Sequence, residues 1–475
     1  MAVFLLFVTS CSESETSTSD TPQEEEAESP TTRPNIIFVL TDDLDYASAQ
    51  KMPQIRSLLV EEGASFRNAF TSQSLCCPSR ATILTGLYAH NSGVKHIKAP
   101  DGGFIKFRDE GLEEDTIAVR LQEGGYRTAF FGKYMNQYPS QKDPTYVPPG
   151  WDNWRGLIWE QRYGYAPYNY QINENGEVVS YGSKTEDFVD DVLSGQATEF
   201  VRQAAPDDKP FFAYVAPTAP HAPATPAERH EGAFADEKAP RPPSFNEVDV
   251  SDKPSWVQDI APFDAEEVSE TDQRYQKRLE SMLAVDEMVA SLVEELEAAG
   301  ELENTFIFFT SDNGFLQGEH RWDSTKDRPY EESARVPLFV RGPGIAPGTE
   351  VENLALNTDF APTFAELGDV SFSADGRSLV SLLRGEEPAS WRSAVLLEGF
   401  VGKRFRNFGA VRTEGYKYVE YANGEEELYD LQTDPYELES LHETADSSLL
   451  EELKERLEEL RDCAYEGCRE AEDAL

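Results

Sequence analysis

Two short acidic clusters, Leu40-Thr41-Asp42-Asp43 and Thr310-Ser311-Asp312-Asn313, each close an apolar run. Carboxylates mixed with an amide oxygen suit a hard divalent cation such as Ca²⁺. In open α/β sheets, ligands gather at the carboxyl ends of strands. Either cluster alone reads equally well as a turn, because Asp, Asn and Gly favour turns. A third element adds weight: Cys76-Cys77-Pro78-Ser79-Arg80, followed by Ala81-Thr82-Ile83-Leu84-Thr85-Gly86. Adjacent cysteines cannot easily chelate one ion and no second pair lies nearby, which argues against a zinc or redox motif. A buried, inert pair at a helix start is the plain alternative. Lys133 and His221 also follow apolar runs, Arg127–Phe131 and Phe211–Val215. On its own, the lysine is as readily a solvated rim charge and the histidine a turn cap.

Apolar runs alternating with amphipathic stretches from Asn35 onward are the pattern of an α/β domain. Strands are expected at Asn35–Leu40, Arg127–Phe131, Phe211–Val215, Thr305–Thr310 and Val336–Val340. Helices are expected over Thr116–Leu121 and Met282–Leu296, the latter stopped by Gly300. Asn175-Gly176 predicts a tight hairpin in Tyr170–Val179, with Ser183 and Glu186 capping the next helix. The stretch Ala222–Gln273 is Pro-rich, charged and weakly periodic, and reads as one long loop. Short strands at Ser393–Phe400, Phe408–Val411 and Tyr416–Tyr421, then a charged helix at Ser447–Arg461, suggest a smaller C-terminal unit. Cys463 and Cys468 are near enough in sequence for a local disulfide, or are two free thiols.

The chain has 475 residues, 42 Lys+Arg against 88 Asp+Glu, and a net charge of −46. A nucleic-acid binder needs a basic face to neutralise phosphates, so that class is excluded. Only seven acidic residues lie in Cys11–Pro30, so the excess coats the folded body, as in proteins adapted to saline surroundings. The apolar run Ala2–Val8 is too short to span a bilayer. With Thr9-Ser10-Cys11 it resembles a bacterial lipoprotein signal, although no Lys or Arg precedes it, and Cys11 would carry the lipid. Ser12–Thr32, rich in Ser, Thr, Glu and Pro, cannot bury enough apolar area to fold. The expected organisation is therefore a signal segment (1–10), a disordered acidic tether (11–33), a catalytic domain (34–380) and a C-terminal subdomain (381–475).

Cys-x-Pro-Ser-Arg followed by Thr-Gly resembles the signature of the type I sulfatases. Further likenesses are Gly132-Lys133-Tyr134, Pro220-His221-Ala222-Pro223, Gly318-Glu319-His320 with Lys326, and Tyr330-Glu331-Glu332-Ser333-Ala334-Arg335-Val336-Pro337. Near the C-terminus, Glu427-Leu428-Tyr429-Asp430-Leu431 with Asp434-Pro435 is similar to the family's small subdomain. Ser74–Arg80, Gly132–Tyr138, Val147–Trp151 and Tyr168-Asn169-Tyr170 look most like N-acetylglucosamine-6-sulfatases and the related heparan 6-O-endosulfatases.

The resemblance implies an alkaline-phosphatase-like α/β fold with a large mixed sheet, plus a small domain carrying an antiparallel sheet. It implies that Cys76 is oxidised to formylglycine by a formylglycine-generating enzyme. It also implies that Asp42, Asp43, Asp312, Asn313 and the modified Cys76 hold one Ca²⁺. The hydrated aldehyde offers two hydroxyls: one attacks sulfur, and deprotonation of the other then expels sulfate. Arg80 would reach back to the diol, Lys133 and Lys326 would bind sulfate oxygens, and His221 would protonate the leaving alcohol. His320 would act in the site or face the sugar. Many members have Lys-x-His at the first lysine, whereas this chain has Lys133-Tyr134-Met135. The base for sulfate release is thus open, with His90 either that base or an ordinary packed histidine. Trp151, Trp154, Tyr163, Tyr165 and Tyr168 either stack on sugar rings or pack the core and rim. The expected protein is an exported periplasmic or cell-surface lipoprotein that cleaves a sulfated sugar, plausibly at the 6-O-sulfate of N-acetylglucosamine. The competing readings are a phosphodiesterase or phosphonate hydrolase with the same metal site, and a surface protein that binds sulfated glycans without cleaving them.

Overall fold

Ile36 to Leu40 are all fully buried, with Ile36, Phe38 and Leu40 in one apolar cluster and Ile37 and Val39 in another. A strand whose alternate side chains both meet a core is a central strand covered on two faces. In the computed structural model, which describes residues 1–6, 33–140, 142–159, 166–386, 388–401 and 406–474, this segment is β1 (Asn35–Thr41). It lies in a ten-stranded sheet with β2 (Ala64–Phe70), β3 (Arg127–Gly132), β4 (Asn153–Leu157), β5 (Gln171–Glu174) and β6 (Glu177–Ser180). The sheet is completed by β7 (Phe211–Ala216), β8 (Thr305–Ser311), β9 (Leu338–Arg341) and β10 (Thr349–Leu356). The spatial order is β10-β2-β9-β8-β1-β7-β3-β4-β5-β6.

The middle of the sheet is parallel: β8, β1, β7, β3 and β4 run the same way, and β9 and the β5–β6 hairpin are antiparallel. The helices Cys76–Thr85 and Phe360–Leu367 contribute to the core on one face, and Val189–Ala204 and Ala265–Ala299 to that on the other. Asn175 and Gly176 both have positive φ, 51° and 92°, giving the turn that the Asn-Gly pair predicts. The second sheet is antiparallel, in the order β11 (Ala394–Gly399), β12 (Phe408–Thr413), β13 (Tyr416–Tyr421), β14 (Glu426–Asp430). Leu453, Leu457 and Leu460 of the helix Ser447–Arg461 share its core. Cys463 and Cys468 form a disulfide. Residues 33–475 make one compact unit, and residues 1–6 carry no helix or strand.

Three expectations need correction. The long loop ends at Asp264, not Gln273: Asp264 accepts from the backbone of Glu266 and Glu267, while Glu267 accepts from Asp264 N at 2.8 Å, and this capping box starts a 35-residue helix. Ser183 and Glu186 do not cap a helix; Asp187 accepts from Lys184 N at 3.1 Å and closes a single 3₁₀ turn. β14 is a fourth strand that overlaps the block Glu427–Leu431, which pattern alone did not mark as a strand. Cys11 and residues 11–32 lie outside the described residues.

Candidate active site

The parallel register places Thr41 of β1 beside Ser311 of β8. The residues that follow each strand therefore emerge side by side, and Asp312 N donates to Thr41 O at 3.1 Å. Asp43 turns back with φ 70°, and its N donates to Asp312 Oδ1 at 3.1 Å. β7 and β3 end at the same edge. Gly132, with φ 112°, closes β3; a Cβ there would lie 2.0 Å from Ala216 O, so only glycine lets the strands meet as the chain turns into Lys133. Beyond β7, the loop through Pro220 delivers His221.

Cys76 is the first residue of a ten-residue helix in which every residue is buried. Leu75, its N-cap, makes no side-chain cap, so the first backbone N–H groups and the positive end of the helix dipole face the cluster. Gly86, with φ 67°, ends the helix. Donor atoms of Asp42, Asp43, Cys76 and Asp312 all lie within 4.8 Å of one another. Cys76 Sγ is 3.5 Å from Asp42 Oδ1 and 2.6 Å from Lys326 Nζ. Asn313 Nδ2 donates to Asp43 Oδ1 at 2.7 Å, while Asn313 Oδ1 is buried with no hydrogen-bond partner among the described residues.

Three cations face these carboxylates. Lys133 Nζ pairs with Asp42, and Lys326 Nζ with Asp43. Arg80 Nε donates to Asp312 Oδ2 at 2.8 Å and its Nη1 to Lys133 O at 2.6 Å. Arg80 therefore braces the acidic cluster and the start of the Lys133 loop, and no direct bond to Cys76 is formed. Burial disfavours the Asp42 carboxylate, but Lys133, His221, Arg80 and Lys326 outweigh it and hold its pKa well below the usual range. Lys326 and His221 likewise lower Asp43. Asp312 moves up, through burial and the charge of Asp42. Burial pushes the Cys76 thiol up to about 12, so it is protonated at neutral pH, the opposite of a thiolate nucleophile.

The donor set fits a hard divalent cation: three carboxylates plus an amide oxygen that has no other partner. Asp42, Asp43, Asp312 and Asn313 would hold it, and it would supply positive charge at the base of the cluster, beside Cys76.

His221 stands at the mouth, its Nε2 3.8 Å from Asp43 Oδ2 and its side chain 37% exposed. It lines a cavity of about 570 Å³ together with Asp43, Lys326, Phe315 and one face of the helix Ala265–Ala299. Both ends of the Ala222–Gln273 segment contribute to that wall. Arg278 was not legible as a site residue. It is buried, donates to Pro220 O at 3.2 Å and to Asp43 O, and so holds the turned Asp43 and the His221 loop together.

His320 is not brought to this cluster. Its ring is fully buried against Tyr330, centroids 4.1 Å apart, with Nδ1 2.7 Å from Glu247 Oε2. Burial lowers its pKa to about 3, so it is neutral, and its neighbours are Glu332 and Glu437. His90 is likewise a packed histidine, held between Glu398 Oε2 and Cys463 O, each at 3.1 Å, and stacked on Tyr88. Trp151 and Trp154 belong to the core and Tyr168 packs on Phe188, whereas Tyr163 and Tyr165 lie outside the described residues.

Beneath the His221 loop lies Asp190, fully buried and raised to about 7 by burial and by Asp191. Folding therefore takes up a proton at Asp190 between its usual 3.8 and about 7, and stability falls as pH rises through that window. Asp190→Asn removes this slope. Thermal denaturation at pH 5 and pH 8 should show the variant gaining roughly 2–3 kcal/mol on wild type between the two.

The sequence pattern of the Sulfatase family matches residues 34–370, and that of the N-sulphoglucosamine sulphohydrolase C-terminal region matches residues 318–463. This chain belongs to the sulfatase family. N-acetylglucosamine-6-sulfatase from Homo sapiens is 33% identical over 92% of the chain and 86% of the relative. N-acetylglucosamine-6-O-sulfatase from Bacteroides thetaiotaomicron is 30% identical over 92% of this sulfatase and 87% of that one. Among solved structures, BT4656 in complex with its substrate D-glucosamine-2-N,6-O-disulfate superposes with a TM-score of 0.76 at 27% identity, covering 93% and 99% of the two chains. Phosphonate monoester hydrolase of Agrobacterium radiobacter shares the fold, at a TM-score of 0.70 and 23% identity over 90% and 95%.

Proposed function

We propose that this sulfatase removes the 6-O-sulfate of N-acetylglucosamine or a related glucosamine in a sulfated glycan, with Cys76 matured to formylglycine. The observation that carries the chemistry is the convergence of Cys76 with Asp42, Asp43 and Asp312 beneath Lys326 and His221. The glucosamine 6-sulfate reading is supported by relatives of that name that span nearly the whole chain. In this reading Lys133 and Lys326 bind sulfate oxygens, and burial leaves both lysines charged because facing carboxylates outweigh its cost. A divalent cation, Ca²⁺ by the oxygen-rich donor set, supplies further positive charge at the same place. His221, exposed at the mouth, donates the proton that the departing sugar alkoxide needs. Arg80 and Arg278 position these groups. Maturation requires a formylglycine-generating enzyme. Export and lipid attachment at Cys11 rest on the order of residues 2–11, and the mass of the mature N-terminal peptide checks them.

The test measures sulfate release from N-acetylglucosamine 6-sulfate and glucosamine 2-N,6-O-disulfate beside alcohol or phenol release from an aryl phosphonate and a phosphodiester, with peptide mass spectrometry across Cys76 on the same sample. Release from the 6-sulfated sugars by protein carrying the aldehyde is expected. Turnover of the phosphorus esters alone would overturn the reading.

A further inference from the structure

On the helix Ala265–Ala299, the residues Glu270, Gln273, Arg274, Lys277 and Arg278 follow an i, i+3, i+4, i+7, i+8 spacing. That spacing is one face of an α-helix, and all five line the cavity above Asp43, His221 and Lys326. The charges of this wall are unusual for a protein of net charge −46: Arg274, Lys277, Arg278 and Lys326 against Asp43 and Glu270. Three of the four cations are committed. Arg278 donates to Pro220 O and Asp43 O, Lys326 pairs with Asp43, and Arg274 pairs with Asp323 at 2.6 Å. Lys277 is exposed and makes no ion pair or hydrogen bond with any described residue. A sugar whose reacting sulfate reaches Lys326 at the base occupies the cavity that this face walls on one side.

We propose that Lys277 is a specificity-determining residue that receives a second anionic group of the substrate, so that the enzyme prefers multiply charged sulfated sugars over singly sulfated ones. The proposal rests on the glycan-sulfatase reading above and deepens it. The second anion is either an N-sulfate on the same ring or the carboxylate of a neighbouring uronate, and both offer oxygens to an ammonium group. An ammonium on a cavity rim is a modest contact, worth about fivefold in kcat/KM when the partner anion is present and nothing when it is absent. The surrounding acidic surface raises the selective value of such a cation, because it offers an anionic substrate local attraction where the wider field repels it.

The experiment compares wild type, Lys277→Gln and Lys277→Glu on three substrates: N-acetylglucosamine 6-sulfate, glucosamine 2-N,6-O-disulfate, and a uronate-linked N-acetylglucosamine 6-sulfate disaccharide. Expected is an unchanged kcat/KM on the singly sulfated sugar. A loss of about fivefold for Gln, and a larger one for Glu, is expected on the disulfate or on the disaccharide; which of the two loses identifies the anion. The wild-type preference should also shrink as salt rises, and that of the Gln variant should not. Equal losses on all three substrates, or none on any, overturn the assignment of Lys277 while leaving the sulfatase reading intact. A wild-type enzyme that releases sulfate from none of the three overturns the glycan reading, and this proposal with it.

Discussion

Cys76→Ala will lower sulfate release by at least about 10⁴-fold, the scale on which loss of a catalytic nucleophile is felt, and will leave the fold in place. The side chain is small, alanine is the best helix former, and Lys326 keeps its pairing with Asp43 when the sulfur is gone. Melting temperature should therefore move little. Cys76→Ser is the more informative variant. A serine hydroxyl can occupy the same place above the acidic cluster and attack sulfur, but it has no second hydroxyl with which to expel sulfate. The expected product is a stoichiometric sulfated protein that turns over once, visible as the mass of a sulfate ester on the Cys76 peptide. The unmodified thiol cannot substitute, because burial pushes it up to about 12 and leaves it protonated at neutral pH. Full turnover by the alanine variant, or an ordinary thiol throughout a fully active preparation, would falsify the role given to this residue.

The parts of this site that the sequence announces are those fixed by central strands. β1, β7 and β8 are buried along their whole length, so each reads as an unbroken apolar run whose end is visible, and the parallel register then sets Asp42 beside Asp312. Cys76 was legible through the resemblance of Cys76-Cys77-Pro78-Ser79-Arg80 and Thr85-Gly86 to the sulfatase signature; its helix is buried all round, so no amphipathic period marks it. The first turns of the helix Ala265–Ala299 were hidden for the converse reason. Between Ala265 and Arg274 only Thr271 is buried, and the apolar stripe begins at Tyr275. A solvated helix start has no apolar period to detect, and with it went the face that carries Arg274, Lys277 and Arg278. His320 was misplaced because spacing along the chain does not report direction. His320 and Arg321 both take positive φ, 50° and 62°, and Glu247, 73 residues away in sequence, captures the imidazole. Such a contact joins two irregular segments, and neither has a period that pattern can read.

The second large effect concerns the charge balance at the base of the cavity. Asp42, Asp43 and Asp312 face Arg80, Lys133 and Lys326, three carboxylates against three cations, so the side chains alone exert no net pull on an anionic sulfate. Exhaustive chelation of the purified enzyme should therefore cut sulfate release by about 10³-fold, the loss expected when several kcal/mol of transition-state charge stabilisation are withdrawn. Readdition of Ca²⁺ or Mg²⁺ should restore it. Because a cation that binds only the folded chain stabilises it by mass action, the chelated protein should also melt lower in proportion to the affinity. Asp312→Ala separates the cation's role from the scaffold's. Asp312 Oδ2 is the nearest carboxylate to Arg80, with Asp42 next at 4.0 Å, and Arg80 is 1% exposed, so removing Asp312 leaves a buried guanidinium without its close counter-charge at a cost of about 3–5 kcal/mol. This variant should lose activity and stability together, and added cation should rescue neither. Wild type stripped of metal should lose activity with a smaller fall in melting temperature, reversed by the ion. Full turnover after chelation, with metal analysis confirming that the ion has gone, would show that Arg80, Lys133 and Lys326 suffice for sulfate and that the unpartnered oxygen of Asn313 serves something else.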